Sequence, residues 1–180
     1  GNESAQLVEV LNRWPSHNDA PDLAPPDLQN SIHRWQELLQ PNVNDGVYRC
    51  GFARNQAAYN RAVTALFAAL DQVESSLKQS GPWLCGEQIT LADVRLFPTL
   101  IRWEMVYAPL FGCSERPLWQ FPKLWDWRRR LYGHPGVQTS CDAKAWRHDY
   151  FGALFPLNPG GIVPTGPDLT TLVASGISNE

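Results

Sequence analysis

Three tyrosines, Tyr48, Tyr107 and Tyr150, carry hydroxyls that could do chemistry. A phenol can hand over a proton, or donate a hydrogen bond to a thiolate and so favour its charged form. Tyr48 stands in a stretch flanked by Gly46 and Gly51. Tyr107 falls near a helix end, and Tyr150 follows a short helix. Three hydroxyls at element ends suit a cavity rim, although each alone also reads as a core aromatic with a satisfied hydroxyl. Tyr59 and Tyr132 lie on helical faces as packing. Near the start, Glu3 can pair with an ammonium group. Ser4, together with the first amides of a helix, can bind a carboxylate, or Ser4 can simply be the N-cap of that helix. Four cysteines, Cys50, Cys85, Cys113 and Cys141, form no C-x-x-C pair and have no histidines at ligand spacing, so no zinc site is expected. Arg49 beside Cys50 can lower its pKa a little, but a packed structural thiol is the better reading. His148 receives no role.

These groups must be held by helices. Gly86 to Arg95 reads GEQITLADVR, where Thr90 and Asp93 have the spacing of a capping box and Ile89 and Val94 that of a hydrophobic staple. Asp93 also places negative charge at the positive end of the helix dipole. The box is structural, and it fixes the start of a buried helix expected from about Leu91 to Leu110. Tyr59, Ala62, Val63, Leu66, Phe67, Leu70, Val73 and Leu77 recur at three- and four-residue steps, which predicts a helix over Gln56–Lys78. Further helices are expected near Leu7–Leu11, over Leu28–Leu39 with a stop at Pro41, from Pro122 to about Leu131, and over Cys141–Tyr150. Asn42 to Ala53 reads as an irregular connection. Arg128-Arg129-Arg130 reads as the solvated face of a helix. From Phe155 the Pro- and Gly-rich sequence predicts a tail that is extended over the body and then frays. No segment carries a strong period-2 pattern. The fold class is therefore all-α, a bundle of about five to seven helices.

Composition narrows the function. A hydrophobic content of 43% supports a sizeable core, and a net charge of −3 argues against nucleic-acid partners. No apolar run approaches the roughly 20 residues needed to span a bilayer, and no signal peptide is visible. Scattered cysteines suit a reducing cytoplasm. Most of the eight tryptophans are expected in the core or lining a cavity.

Four segments together resemble one family: NESAQLVEVLN, NDGVYRCGFARNQAAYNRAV, LCGEQITLADVRLFPTLIRWEMVY and HDYFGALFPLNPGGIVPTGP. They are similar to the C-terminal part of glutathionyl-hydroquinone reductases, the Xi-class glutathione transferases. The resemblance implies a glutathione transferase C-terminal-like helical bundle. Residues 1–26 would be the last helix of a thioredoxin-like domain with its linker, 27–154 the helical domain, and 155–180 the tail. Glutathione is the implied co-substrate, with no metal. A quinol conjugate is the implied ligand, and a homodimer the implied assembly. Glu3 and Ser4 match the pair that holds the γ-glutamyl end of glutathione. Tyr48 matches the proton donor or acceptor toward the quinone ring. Tyr107 and Tyr150 match the tyrosines that favour the cysteine thiolate. The family's nucleophile lies in a C-P-W segment ahead of the NES segment, and no such segment occurs here. A chain that was trimmed, was processed or lost its first domain is the expectation, and by itself it should be inactive. The other readings are a non-catalytic helical binding or association module and an ordinary conjugating transferase.

Overall fold

The computed structural model describes residues 4–14 and 21–174. Glu3 lies outside them. Ser4 opens the first helix, and its side chain is not among those described. Among the described residues the helices are α1 (Ser4–Asn12), α2 (Gln29–Leu39), α3 (Gly46–Gly51), α4 (Gln56–Ser80), α5 (Leu91–Ile101), α6 (Ala108–Phe111), α7 (Pro122–Tyr132), α8 (Ala143–Ala153) and α9 (Leu169–Val173). No strand occurs among them. One isolated bridge pairs Trp83 with Gly86. The fold is that of an all-α bundle.

Helix α4 is the spine. Asn55 caps it by accepting from the Ala58 amide at 2.8 Å. Its expected stripe is buried through Val63, Leu66, Phe67, Leu70, Val73 and Leu77. Against it pack α3 and α7. Helix α5 starts where the sequence requires, at the Thr90–Asp93 capping box. Asp93 does more than cap. One carboxylate oxygen accepts from the Thr90 amide at 2.9 Å and the Thr90 hydroxyl at 3.1 Å. The other accepts from the Leu84 amide at 3.0 Å and the Trp127 indole at 2.8 Å. One fully buried carboxylate thus ties the 83–86 turn, α5 and α7 together.

Several expectations are corrected. Pro41 does not end helical structure, because it sits inside a π-helical turn, Gln40–Asn44, that carries the chain from α2 into α3. The supposed irregular connection is therefore mostly helical. Asn44 secures it by donating to the Arg95 carbonyl at 3.0 Å, while the Thr99 hydroxyl donates to the Asn44 side chain at 3.3 Å. The capped helix does not run unbroken to Leu110. It ends at Ile101, and a second π turn, Trp103–Tyr107, leads into α6. Gly112, at φ 70°, closes α6 in the left-handed region that favours glycine. Arg128 is not on a solvated face. It is fully buried, it donates to the Leu100 carbonyl at 3.1 Å and Glu104 at 2.6 Å, and it stacks over Trp125. Arg129 and Arg130 do lie nearer the surface. Most of the tryptophans are buried or half-buried, as expected, and Trp14 and Trp119 are the exceptions at 65% and 63% exposure. The tail is extended from residue 161 to 168 but then forms α9, which buries Leu169 and Val173 against α7. The expected fraying at its end lies outside the described residues.

Candidate active site

Each of the three tyrosines arrives on a helix or helical turn. Tyr48 is in the middle of α3, not in a loop. Tyr107 closes the second π turn, and Tyr150 lies within α8 rather than after it. The packing that brings them together is aromatic. Phe111 of α6 meets Tyr48 and Tyr107 with ring centroids 5.3 Å apart and Tyr150 at 6.0 Å, all edge-on. Gly51 permits this approach, since a Cβ there would fall 2.6 Å from Phe111 Cγ. Any side chain at position 51 would push α3, and Tyr48 with it, away from α6.

The three hydroxyls meet. Tyr48 and Tyr150 oxygens are 2.8 Å apart, Tyr107 and Tyr150 are 3.1 Å apart, and Tyr48 and Tyr107 are 3.4 Å apart. Residues separated by 59, 102 and 43 positions in the chain thus form one hydrogen-bonded triangle. Tyr48 is 39% exposed and Tyr107 only 2%, so the triangle has an outer and an inner member. Burial raises the Tyr48 phenol above its ordinary value, against the pull of the Tyr107 hydrogen bond and the Arg102 charge. Burial raises Tyr107 too, and so do its hydrogen bonds to Tyr150 and Tyr48. These phenols are held neutral. Each hydroxyl has one proton to donate and can accept twice, so the triangle can turn its donors toward an entering anion. It suits a proton or hydrogen-bond donor, not a phenolate base.

All three line one cavity of about 440 Å³, together with Arg102, Pro98 and Val8 of α1. The cavity therefore borders α1. Arg95 fixes α1 there by bonding Glu9 at 3.0 Å and Gln36 of α2 at 2.7 Å. No tryptophan lines the cavity. The tyrosines are themselves its aromatic wall, and Trp146 acts from behind by stacking on the Arg102 guanidinium at 4.7 Å. Phe111, Gly51 and Arg102 escaped sequence reading, because each acts through a contact that has no local signature.

No cysteine lines the cavity. Cys50 and Cys113 are buried together, and the hydrogen bond between them lowers the Cys50 thiol and raises that of Cys113. At 3% exposure Cys50 is packed, not presented. Among the described residues no group of three or more His, Cys, Asp or Glu could hold a metal ion. None of their helices is long and apolar enough to cross a membrane.

Comparison with known proteins agrees with this architecture. Residues 56–130 match the family model described as glutathione S-transferase, C-terminal domain. The glutathionyl-hydroquinone reductase PcpF of Sphingobium chlorophenolicum is 36% identical over 168 residues, which are 92% of this chain and 53% of that protein. The glutathione-bound structure of YqjG, a glutathione transferase homolog from Escherichia coli K-12, superposes with a TM-score of 0.87 at 35% identity, covering 94% of this chain and 56% of that one. The Xi glutathione transferase of Phanerochaete chrysosporium gives 0.86 at 36% identity, covering 92% and 58%. The chain spans about half the length of the curated relatives it matches.

Proposed function

This chain has the C-terminal domain fold of the glutathione transferases and is a relative of the glutathionyl-hydroquinone reductases, and from that premise we propose that it is the quinol-binding part of a glutathione-dependent reductase. In this reading residues 1–26 belong to a thioredoxin-like part and its linker, 27–154 form the helical domain, and 155–180 form the tail. The observation that carries the reading is the convergence of the Tyr48, Tyr107 and Tyr150 hydroxyls on one cavity beside α1.

The reaction runs in two thiol exchanges. A cysteine thiolate from the thioredoxin-like part attacks the sulfur of a glutathionyl-hydroquinone. The bond from sulfur to ring carbon breaks, the ring carbon takes the electron pair, and Tyr48 supplies its proton. Hydroquinone leaves, and cysteine and glutathione remain joined as a mixed disulfide. The thiolate of a second glutathione attacks that disulfide, giving glutathione disulfide and the free cysteine thiolate. Tyr107 and Tyr150 donate hydrogen bonds that favour the thiolate. Tyr48 is suited to proton delivery because it is neutral, the most exposed of the three, and backed by two hydroxyls that can reprotonate it. Glu3 and Ser4 would hold the γ-glutamyl end of glutathione. Cytoplasmic action and pairing into a homodimer complete the proposal.

The test is a chimera that joins this chain to the thioredoxin-like part of YqjG, assayed on a glutathionyl-hydroquinone with glutathione in excess. The chimera should turn over, Tyr48→Phe should lose roughly 10²- to 10⁴-fold in kcat, and the 180-residue chain alone should be inert. Unchanged turnover in Tyr48→Phe refutes the role of Tyr48. Turnover by the chain alone that vanishes in Cys50→Ser refutes the assignment of Cys50 as structural.

A further inference from the structure

Tyr48 walls a second space. Between α3 and α4 lies a groove of about 820 Å³ lined by Tyr48 and Phe52, by small residues including Ala58 and Ala62, and by Arg49, Arg54 and Arg61. Its volume is that of a small-molecule site. Its charge is unlike that of the chain as a whole, whose net charge is −3. Other arginines are engaged: Arg95, Arg116, Arg128 and Arg129 each make an ion pair. Arg49, Arg54 and Arg61 make no hydrogen bond or ion pair with another described residue. The groove's single carboxylate, Asp45, already accepts from the Gln40 side chain at 3.0 Å.

Phe52 is 46% exposed and packs edge-on against Phe111, 5.7 Å between centroids. Its other surface, with Tyr48, offers an apolar platform for a flat ring. Three guanidinium groups with no anionic partner among the described residues lie around that platform. Guanidinium forks recognise carboxylate and sulfonate groups through charge-assisted, often bidentate bonds. Because Tyr48 lines both spaces, the groove adjoins the tyrosine cavity.

We propose that the groove between α3 and α4 receives an acidic substituent of the aromatic substrate, so that quinols carrying a ring carboxylate or sulfonate are the preferred class. The inference rests on the reading of the tyrosine cavity as a quinol site. Arg49, Arg54 and Arg61 are then specificity-determining residues and take no part in proton transfer.

Calorimetric titration of this chain with hydroquinone and with gentisate, a hydroquinone bearing one ring carboxylate, tests it. Both arginines substituted below are exposed, so R49Q/R61Q should fold as the parent does. Gentisate should bind at least about tenfold more tightly than hydroquinone, as expected for charge-assisted bonds. In R49Q/R61Q that preference should fall to below about threefold with hydroquinone affinity unchanged. Equal affinities, a preference that survives R49Q/R61Q, or binding of neither compound overturns the proposal. So does a dimer that dissociates in R49Q/R61Q while ligand preference stays put, which assigns the groove to a second copy of the chain. Failure of the parent reading looks different: hydroquinone affinity would be indifferent to Tyr107→Phe and Tyr150→Phe while benzoate still bound through the arginines.

Discussion

Replacing Asp93 by alanine should be among the most destabilising single changes in this chain. The carboxylate accepts four hydrogen bonds, two per oxygen, from the Leu84 and Thr90 amides, the Thr90 hydroxyl and the Trp127 indole. Thr90 and Trp127 are fully buried and Leu84 is 3% exposed, so little water stands ready to replace it. In Asp93→Ala the hydroxyl can turn elsewhere, but three N–H groups remain. Each unsatisfied buried donor costs about 1–3 kcal/mol. Relief from burying a carboxylate, whose pKa burial raises, returns part of that. The net loss is about 3–5 kcal/mol, a Tm drop of roughly 10–15 °C for a domain of this size. Asp93→Asn keeps one oxygen for Leu84 and Trp127 but turns an NH₂ toward the Thr90 amide, costing about 2 kcal/mol. Thr90→Ser keeps every partner and should cost under about 1 kcal/mol. Urea and thermal unfolding followed by circular dichroism at the helical band rank the three. An Asp93→Ala loss under about 1 kcal/mol, or equal losses for alanine and asparagine, would refute the view that acceptor count controls this site.

Arg128→Met strands Glu104 and the Leu100 carbonyl and should cost about 3 kcal/mol in the same assay, whereas Arg129→Ala, which loses only a 3.6 Å surface pair with Asp126, should cost under about 1 kcal/mol. Burial raises the phenols of Tyr48, Tyr59, Tyr107 and Tyr132 above their ordinary value of 10.0. Because their folded values exceed the unfolded ones, the stability they contribute is complete below pH 10 and is lost as pH rises through the folded values. Absorbance titration of the native protein should show these four ionising late and the urea midpoint falling above pH 10, and free ionisation of all four near pH 10 would refute this. Helix α1 exposes Leu7, Val10 and Leu11 by 46%, 54% and 66%. Light scattering should find a dimer or larger species, and Leu11→Glu should weaken it. A clean monomer at high concentration counts against association through this face.

The parts of this structure that were legible in the sequence are those with local causes. The Thr90–Asp93 box starts α5 because both partners lie within one turn, and the α4 stripe follows from a single uninterrupted period. The two π turns were not legible. Pro41 reads as a stop, and its helical surroundings are secured by Asn44 bonding to α5, about fifty residues away. The burial of Arg128 has a long-range cause of the same kind. A run of three arginines looks solvated until Glu104, from the second π turn, and the Leu100 carbonyl are placed beside the first of them. The tyrosine trio came from family resemblance. Its members lie on separate elements, and only the fit of Phe111 against Gly51 makes their meeting understandable.

The π turns also govern how this site can change by insertion and deletion. A π turn holds one residue more than the α turn it replaces, and each residue advances a helix by about 100°. One such turn precedes Tyr48 by four positions, and the other ends on Tyr107. Deleting a single residue from either would restore plain α-helix while swinging the following tyrosine about a quarter-turn away from its partners. The bundle could survive such a deletion, since its core stripe on α4 is untouched. The triangle could not. The residue count of these two short segments therefore constrains the site as tightly as the identity of the tyrosines does.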